Sequence, residues 1–490
     1  MSAPVGRPPP GGATSGLPAG TRVVWDRHAR LGRDGSFVTG GAPWGLARLA
    51  PPARGFARRL GAAGDVGVIP ADAVELGTAD RLVARGLAHP RPAARPAGDV
   101  VVVVPAYGRP GSLEACLASL TGLDVVVVDD ASPDAATVAR VARAHGARLE
   151  RHAANRGPAA ARNTGLAVTD TRLVAFVDSD CRAEPGWLDR VVGHFDDPRV
   201  AAVAPRVRPV ATNGSALARF EQARSALDMG DEPQLVRPGA RLGFVPSAAL
   251  VVCRAALAGG GFDPSMRVGE DVDLVWRLVE AGWHVRYEPT VSVWHETRTR
   301  PRDWLATRFA YGTSAAALDR RHPGRLAPAR PSAWNLAALA CLVAGHPVAG
   351  LLVMAAAAGA LARQLRTAGV RSWVAPVLVG KGVVADAVAV GHALRREWWP
   401  LGALTLATAP WSRAARVGAV AMLAPIGLEL VRGRPRVSAP LYAAQRLVAD
   451  AAYGTGVIAS AIRGRRFGAL LPRVRLPFVA VRLGRPGRQP

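Results

Sequence analysis

The chain has 490 residues, too many for one ordinary domain, so we expect two or three folded units. Its formal net charge of +25 comes almost entirely from arginine, since Lys381 is the only lysine. The arginines are scattered through an Ala-, Gly- and Pro-rich sequence and no nucleic-acid motif accompanies them, so no nucleic-acid partner is expected.

The cysteines are spread along the chain and form no CxxC pair. They are Cys116, Cys181, Cys253 and Cys341. This spacing indicates isolated thiols of a reducing compartment, neither a disulfide framework nor a zinc site. The first residues show no apolar core behind a basic start, so we expect no secretory signal and a cytoplasmic location for the first two-thirds of the chain.

The composition of the N-terminal part predicts a disordered Pro/Gly tail over residues 1–20 and a small α+β module over residues 21–90. In the module, TRVVWD and SFVTGG flank the turn-like LGRDG and predict a hairpin. Helical patterns follow over residues 53–61 and 79–86. Residues 91–98 form a Pro/Ala linker.

Residues 99–330 show a different sequence pattern from the N-terminal module. Short unbroken apolar runs (VVVVV, VVVVDD and LVAFVDSD) alternate with helical patterns over residues 112–120 and 133–145. Strands buried on both faces read as continuous Val, Ile and Leu, so this alternation predicts a parallel, doubly wound α/β sheet.

Polar side chains follow the carboxyl ends of these strands, where such sheets bind ligands. They are Tyr107, then Asp129 and Asp130, then Asp178 and Asp180. We therefore expect them to meet on one rim. Two acids in a D-x-D pattern repel each other unless a cation lies between them, which points to Mg²⁺ or Mn²⁺. Turn capping by both acids is the alternative.

Further downstream, the sequence GED places Glu270 and Asp271 at the start of an amphipathic helix, after a Gly-rich approach. The helix dipole alone favours acids there, and this explanation suffices for Asp273. The Gly-rich approach also suits a loop that positions a catalytic base. His295 ends an apparent strand, HVRYEPTVSVWH. It is a candidate metal ligand through its neutral imidazole, although a lone histidine is usually structural.

Residues 331–490 are apolar, helical and rich in arginine. Residues 336–362 contain no charged side chain and are long enough to span a bilayer, although His346 and Pro347 interrupt them. Residues 463–488 hold eight arginines and no acid. We predict association with the cytoplasmic face of the cell membrane, with helices packed on the α/β domain as the alternative.

Five segments resemble glycosyltransferase family 2 in content and order: PAYGRPGSLEACLASL, VVVVDDASPD, NRGPAAARNTG, FVDSD and GEDVDLVWRL. The similarity covers roughly residues 99–325. It implies a GT-A fold and an inverting hexosyltransferase that uses a UDP-sugar. It further implies that the uracil and ribose lie against Pro105, Tyr107 and Asp130, with Arg162 and Asn163 near the nucleotide.

The same resemblance implies roles for the acidic residues. Asp178 and Asp180 would bind the metal and the diphosphate, with His295 as a candidate third ligand. Asp271 would be the general base, with Glu270 the next candidate. Trp283, Trp294 and Trp304 lie near these residues in sequence. They are candidates for stacking on the acceptor, with one or two of them expected in the core.

The flanking sequences are similar to the mycofactocin-system glycosyltransferases, which extends the resemblance to nearly the whole chain. It implies transfer of glucose from UDP-glucose to a peptide-derived mycofactocin precursor, building a β-linked oligomer. The N-terminal module resembles the PqqD-like winged helix that binds precursor peptides, with a purely structural module as the alternative. Two other functions stay open. One is a rhamnosyl- or cell-wall-polymer transferase with a lipid-linked acceptor, and the other is a non-catalytic nucleotide-sugar-binding or membrane scaffold protein.

Overall fold

The computed structural model describes residues 16–211, 213–367 and 370–476. The chain divides into two compact units. The first, here called the sheet unit, comprises Met1–Thr212 and Arg224–Thr297, and the second, the helical unit, comprises Asn213–Ala223 and Arg298–Pro490. The predicted boundary near residue 330 therefore differs from this division.

The predicted disordered tail is ordered where the structure describes it. Residues 1–15 lie outside the described residues. Leu17, however, is buried in the core of the module, and its backbone N–H donates to Asp80 Oδ1 at 2.9 Å. Residues 16–20 therefore belong to the folded module.

The module packs two helices against two small antiparallel sheets. Its elements are β1 (Arg22–Trp25), β2 (Arg30–Leu31), β3 (Phe37–Gly40), β4 (Gly45–Arg48), α1 (Pro51–Ala63), α2 (Ala73–Ala84) and β5 (Ala88–Arg91). Both predicted helices are present, and α2 begins earlier than predicted because Asp72 caps it by accepting the Glu75 N–H at 2.8 Å.

The predicted hairpin between β1 and β3 is wrong. β1 pairs with β5, and β3 pairs with β2 and β4. The LGRDG turn connects β2 to β3, while β5, the partner of β1, follows both helices in the sequence. Val23 of β1 and Val38 of β3 still share one core. The apolar pattern therefore identified the buried residues but not the pairing.

A large sheet follows, with helices between its strands. Its elements in chain order are β6 (Val100–Ala106), α3 (Pro110–Ser119), β7 (Asp124–Asp129), α4 (Ala135–Ala144), β8 (Arg148–Arg151), α5 (Pro158–Ala167), β9 (Leu173–Val177), β10 (Cys181–Ala183), α6 (Trp187–Val191), β11 (Val200–Val210), α7 (Ala216–Arg224), β12 (Gln234–Val236), β13 (Ala249–Cys253), α8 (Glu270–Glu280) and β14 (His284–Glu296). Of these, α7 lies almost wholly in the helical unit.

The strand order is β10-β14-β11-β13-β9-β6-β7-β8, and β12 lies off this path and pairs antiparallel with β14. The prediction of parallel pairing is confirmed for β9-β6-β7-β8, whose Val-rich interior strands are covered on both faces. The other half is mixed, because β13 runs antiparallel to both β9 and β11. The carboxyl ends of β6, β7 and β9 lie along one rim.

The helical unit consists of α9 (Pro301–Thr313), α10 (Ala315–Arg321), α11 (Ala333–Val343), α12 (Pro347–Thr367), α13 (Ala375–Arg395), α14 (Trp399–Thr408), α15 (Arg413–Gly433) and α16 (Ala439–Gly464), together with α7. The predicted apolar span over residues 336–362 is two helices, since Gly345 has φ +88° and Pro347 starts a new helix. Within the described residues, three helices are long and apolar enough to cross a membrane: Pro347–Thr367, Ser372–Arg395 and Arg413–Gly433.

The helical unit combines buried polar contacts with exposed apolar side chains. Asp386 of α13 is buried and accepts hydrogen bonds from Asn335 Nδ2 at 2.6 Å and from the Ser332 N–H at 2.8 Å. Arg395 and Asp450 form a buried ion pair at 3.2 Å. By contrast, Leu and Val side chains along α12, α13 and α15 are exposed.

Candidate active site

The rim of the sheet carries most of the residues that the sequence singled out. Pro105 lies in β6 and is half-buried, and Tyr107 follows that strand with 56% of its surface exposed. Asp178 and Asp180 follow β9, and Glu270 and Asp271 open α8. Gly269, with φ +82°, provides the left-handed turn that starts this helix.

A buried arginine connects the two groups of carboxylates. Arg162 of α5 donates from Nη1 to Glu270 Oε1 at 2.8 Å and from Nη2 to Asp178 Oδ1 at 2.6 Å. Its guanidinium also lies 5.2 Å from the Phe262 ring centre. Burial alone would lower the pKa of Arg162, but the charges of Asp178 and Glu270 raise it. Arg162 therefore stays charged and offsets part of the repulsion between the acids on the rim.

The two acids at the start of α8 have raised pKa values. Burial, aided by the charge of Asp271, raises the pKa of Glu270 to about 7 against the opposing effect of Arg162. Burial also raises the pKa of Asp271, again opposed by Arg162. The Asp271 carboxylate accepts the backbone N–H of Val272 at 2.8 Å and of Ser247 at 3.3 Å. These bonds fix the orientation of the Asp271 carboxylate.

Asp273, on the same helix, has a structural partner. It is buried and forms an ion pair with Arg277 one turn away at 2.8 Å. This contact agrees with the interpretation of Asp273 as a helix-stabilising acid.

The D-x-D carboxylates are more exposed than the carboxylate of Glu270. The side chain of Asp178 is 31% exposed, with Arg162 on one oxygen. Asp180 lies 3.5 Å from Arg109 Nη1 and 3.5 Å from His295 Nε2, beyond strong hydrogen-bond distance. In the described part of the chain, no three His, Cys, Asp or Glu side chains are arranged to hold a metal ion. Asp178, Asp180 and His295 are thus neighbours without forming a ready three-ligand site.

Two residues that were predicted to contact the nucleotide are hydrogen-bonded to other protein groups. Asp130 is buried and accepts from His152 Nδ1 at 2.7 Å and from the backbone N–H groups of Arg156 and Gly157 at 2.8 and 2.7 Å. The Asn163 side chain makes two hydrogen bonds with the backbone of Phe262: its Oδ1 accepts the N–H, and its Nδ2 donates to the carbonyl oxygen. Both residues shape the loops around the rim, and their contact with a nucleotide stays a prediction.

Sequence reasoning missed several groups at the rim. Arg109 faces Asp180, and Glu296 accepts hydrogen bonds from Ser112 at 2.8 Å and from Arg182 at 2.7 Å. The only available signal for Arg109 was its place directly after the PAYG segment.

The three tryptophans differ in environment. Trp283 and Trp304 are buried, and the Trp304 Nε1–H donates to Glu221 at 2.7 Å inside the helical unit. Trp294 is half-buried, with the Arg208 guanidinium 4.5 Å from its ring centre. Two of the three are core residues, in line with the expectation that one or two would be.

Comparison with known proteins identifies the family. Residues 101–256 match the model of glycosyl transferase family 2. Over 472 residues the chain is 39% identical to the pre-mycofactocin glycosyltransferase of Mycobacterium tuberculosis, and the alignment covers 94% of this chain and 99% of that protein. The chain belongs to the pre-mycofactocin glycosyltransferases of family 2. The protein is therefore a glycosyltransferase.

More distant similarities are confined to part of this glycosyltransferase. The succinoglycan biosynthesis protein ExoO of Rhizobium meliloti is 29% identical over 221 residues, which cover 41% of this chain and 61% of ExoO. The solved mannosyltransferase PcManGT of Pyrobaculum calidifontis is 24% identical, with a TM-score of 0.36 and coverage of 59% of this chain and 86% of that one. This second similarity is too low to add to the assignment.

Proposed function

We propose that the protein transfers glucose from UDP-glucose to a mycofactocin precursor with inversion at the anomeric carbon, and that repeated transfer builds a β-linked glucose oligomer. The supporting observation is the rim itself, where Arg162 joins the D-x-D carboxylates to the acids of α8. The name of the Mycobacterium tuberculosis relative supports the choice of acceptor.

Asp271 acts as the general base in this proposal. Its carboxylate accepts the proton of the acceptor hydroxyl while that oxygen attacks the anomeric carbon on the face opposite the diphosphate. One displacement inverts the configuration, so an α-linked donor gives a β-linked product. Burial supports this role, because a raised pKa makes the Asp271 carboxylate a stronger base than an exposed aspartate.

A divalent cation fits the D-x-D residues. Asp178 and Asp180 offer hard carboxylate oxygens, and the partners of Asp180 lie too far away to occupy it fully. Mg²⁺ commonly binds one or two protein carboxylates and completes its shell with substrate phosphates and water, so a ready three-ligand site is not needed. His295 is the candidate third ligand. When bound, the ion would supply positive charge for the departing UDP.

We further propose that the helical unit holds the protein at the membrane, with the active site in the cytoplasm. Exposed apolar side chains along α12, α13 and α15 support this. In water these side chains would leave a large apolar surface in contact with solvent, whereas a membrane would cover it. The same helices favour a second candidate function, transfer to a lipid-linked acceptor.

The deciding experiment supplies purified full-length protein in detergent with UDP-glucose, Mn²⁺ and mycofactocin precursor. We expect a ladder of products that differ by one hexose in mass spectra, and no ladder after chelation until metal is restored. A panel of other UDP- and dTDP-sugars serves as the donor control. Transfer to a lipid-linked sugar with none to the precursor would favour the second candidate. Full activity in the chelated sample would contradict the proposed requirement for a divalent metal ion.

A further inference from the structure

We propose that Arg109 binds the diphosphate of the sugar donor. The inference rests on the proposed function, because it assumes a nucleoside diphosphate donor at this rim. The residue follows β6 and lies beside the D-x-D pair, with Nη1 3.5 Å from Asp180 Oδ2.

The Arg109 guanidinium is available for a ligand. Its side chain is 51% exposed, and among the described residues the guanidinium makes no hydrogen bond. It lies 3.5 Å from Asp180, and its charge also acts on Glu296. The neighbouring arginines differ in this respect. Arg162 donates to two carboxylates, and Arg182 donates to Glu296 at 2.7 Å. Arg109 therefore keeps most of its five N–H donors for a partner that approaches from solvent.

The backbone holds Arg109 in place at a cost. Its φ and ψ are +48° and 57°, a left-handed conformation that favours glycine. Hydrogen bonds on both sides fix this turn. The Gly108 N–H donates to Ser132 Oγ at 2.8 Å, and Ser112 Oγ donates to Glu296 at 2.8 Å. Strained backbone that its surroundings hold in place is commonly found at ligand-binding sites.

The chemistry of guanidinium and phosphate explains the role that we propose for Arg109. Without donor, its positive charge lies against Asp180. A planar guanidinium matches a phosphate group with two parallel N–H donors, which a point charge cannot reproduce. Arg109 therefore turns from the carboxylate to the diphosphate when the donor binds, and afterwards offsets the charge that develops on the leaving UDP.

The test compares Arg109→Ala with Arg182→Ala by calorimetric titration of UDP and of uridine, each with Mn²⁺. The two arginines are similarly exposed and both lie beside carboxylates, but Arg182 is hydrogen-bonded to Glu296 and not beside the D-x-D pair, so Arg182 is the matched control. We expect Arg109→Ala to weaken UDP binding roughly tenfold or more, the usual scale for charge-assisted hydrogen bonds. Uridine, which has no phosphate, should bind unchanged, and Arg182→Ala should bind both ligands like wild type.

Arg109→Gly gives a second readout, because glycine removes the side chain and tolerates the left-handed backbone. It should bind UDP as poorly as Arg109→Ala while melting at a higher temperature than that variant. Wild-type affinity for UDP in Arg109→Ala, or an equal loss for UDP and uridine, would overturn the inference. If wild type binds another nucleoside diphosphate in place of UDP, the proposed donor is wrong. The same comparison with that diphosphate and its nucleoside then decides on Arg109.

Discussion

At the scale of single residues, the main feature is the arrangement of charge around Arg162. Asp178 and Glu270 are far apart in the chain, yet one buried guanidinium donates to both. Removing either acid would leave a buried charge with fewer partners, which is costly in a protein interior. Asp271 lies beside this network without a direct bond to Arg162 among the described contacts, so its carboxylate can accept a proton from a substrate.

Asp271→Asn should lower kcat by about 100-fold or more while donor binding is unchanged, since an amide cannot take up the proton. In wild type, kcat should fall as the pH decreases through the pKa of Asp271. Because burial raises that pKa, the decline should occur above the ordinary aspartate value of 3.8. Steady-state rates across pH and calorimetric titration with UDP measure both effects.

Glu270→Gln is the companion variant. It can still accept a hydrogen bond from Arg162, so we expect a smaller loss of kcat than in Asp271→Asn. The reverse result, wild-type kcat in Asp271→Asn with collapse in Glu270→Gln, would assign the base to Glu270.

Much of the site was predictable because strand ends in an α/β sheet bring distant residues to one rim. Asp178 and Asp180 lie there for this reason, since they follow β9. The acids of α8 begin a helix instead, and their predicted roles came from the family resemblance. The buried bridge made by Arg162 and the use of Asp130 by His152 were not predictable. Both depend on the exact path of loops between strands, and a single sequence carries little signal for loop geometry.

At the scale of secondary-structure elements, apolar runs predicted the interior strands well, but pairing between distant segments was invisible. The composition of the Val-rich strands β6 and β7 was enough to predict them. The partner of β1 is β5, on the far side of two helices, and no turn sequence links them. The antiparallel position of β13 has the same origin, since register and direction are set by tertiary packing.

A contact between β5 and β14 makes stability dependent on pH. Glu288 of β14 lies 3.1 Å from both Arg91 of β5 and His194 Nε2. Burial alone would raise the pKa of Glu288, but these partners and Thr290 outweigh burial and hold it at about 2, below the ordinary value of 4.5. A lowered pKa means that the stabilisation is complete above about pH 4.5 and is lost as pH falls toward 2.

Glu288→Gln should therefore reduce the free energy of unfolding at pH 7 by on the order of 3 kcal/mol. The difference from wild type should shrink as pH falls below 4.5. Urea unfolding monitored between pH 7 and the lowest pH at which both proteins fold measures it. Glu150→Gln, in the exposed Arg148–Glu150 ion pair, is the control and should change little. A gap between wild type and Glu288→Gln that stays constant with pH would contradict the assignment.

At the scale of the whole molecule, the helical unit has several buried polar contacts, while many Leu and Val side chains of α12, α13 and α15 are exposed. Asp386 and Asp450 are buried with partners, while Leu351 and Leu352 on α12 are about two-thirds exposed. Water-soluble helical domains show the opposite arrangement. These exposed apolar side chains are the physical basis for the proposal that α12, α13 and α15 lie in lipid.

The double variant Leu351→Lys with Leu352→Lys tests that placement. A lysine costs about 2.5–3.5 kcal/mol at the bilayer centre and less near a helix end, where these two positions lie, so the share of full-length protein in the membrane fraction should fall. Val66→Lys, at an exposed apolar position in the N-terminal module, should partition like wild type. If the double variant is as stable as wild type and equally well folded without detergent, α12 faces water.

The core of the helical unit also constrains how the protein is made. Leu217 and Phe220 of α7 pack with Trp304 and, much later in the chain, with Tyr442 and Ala449. A ribosome adds about 5–20 residues per second, so roughly 10–50 seconds separate the synthesis of Phe220 from that of its last partners. During that interval the apolar face of α7 has only part of its native cover, and any nascent chain released before Ala449 keeps the rest of that face exposed. The helical unit is therefore completed last, although its first segment emerges before the sheet unit is finished.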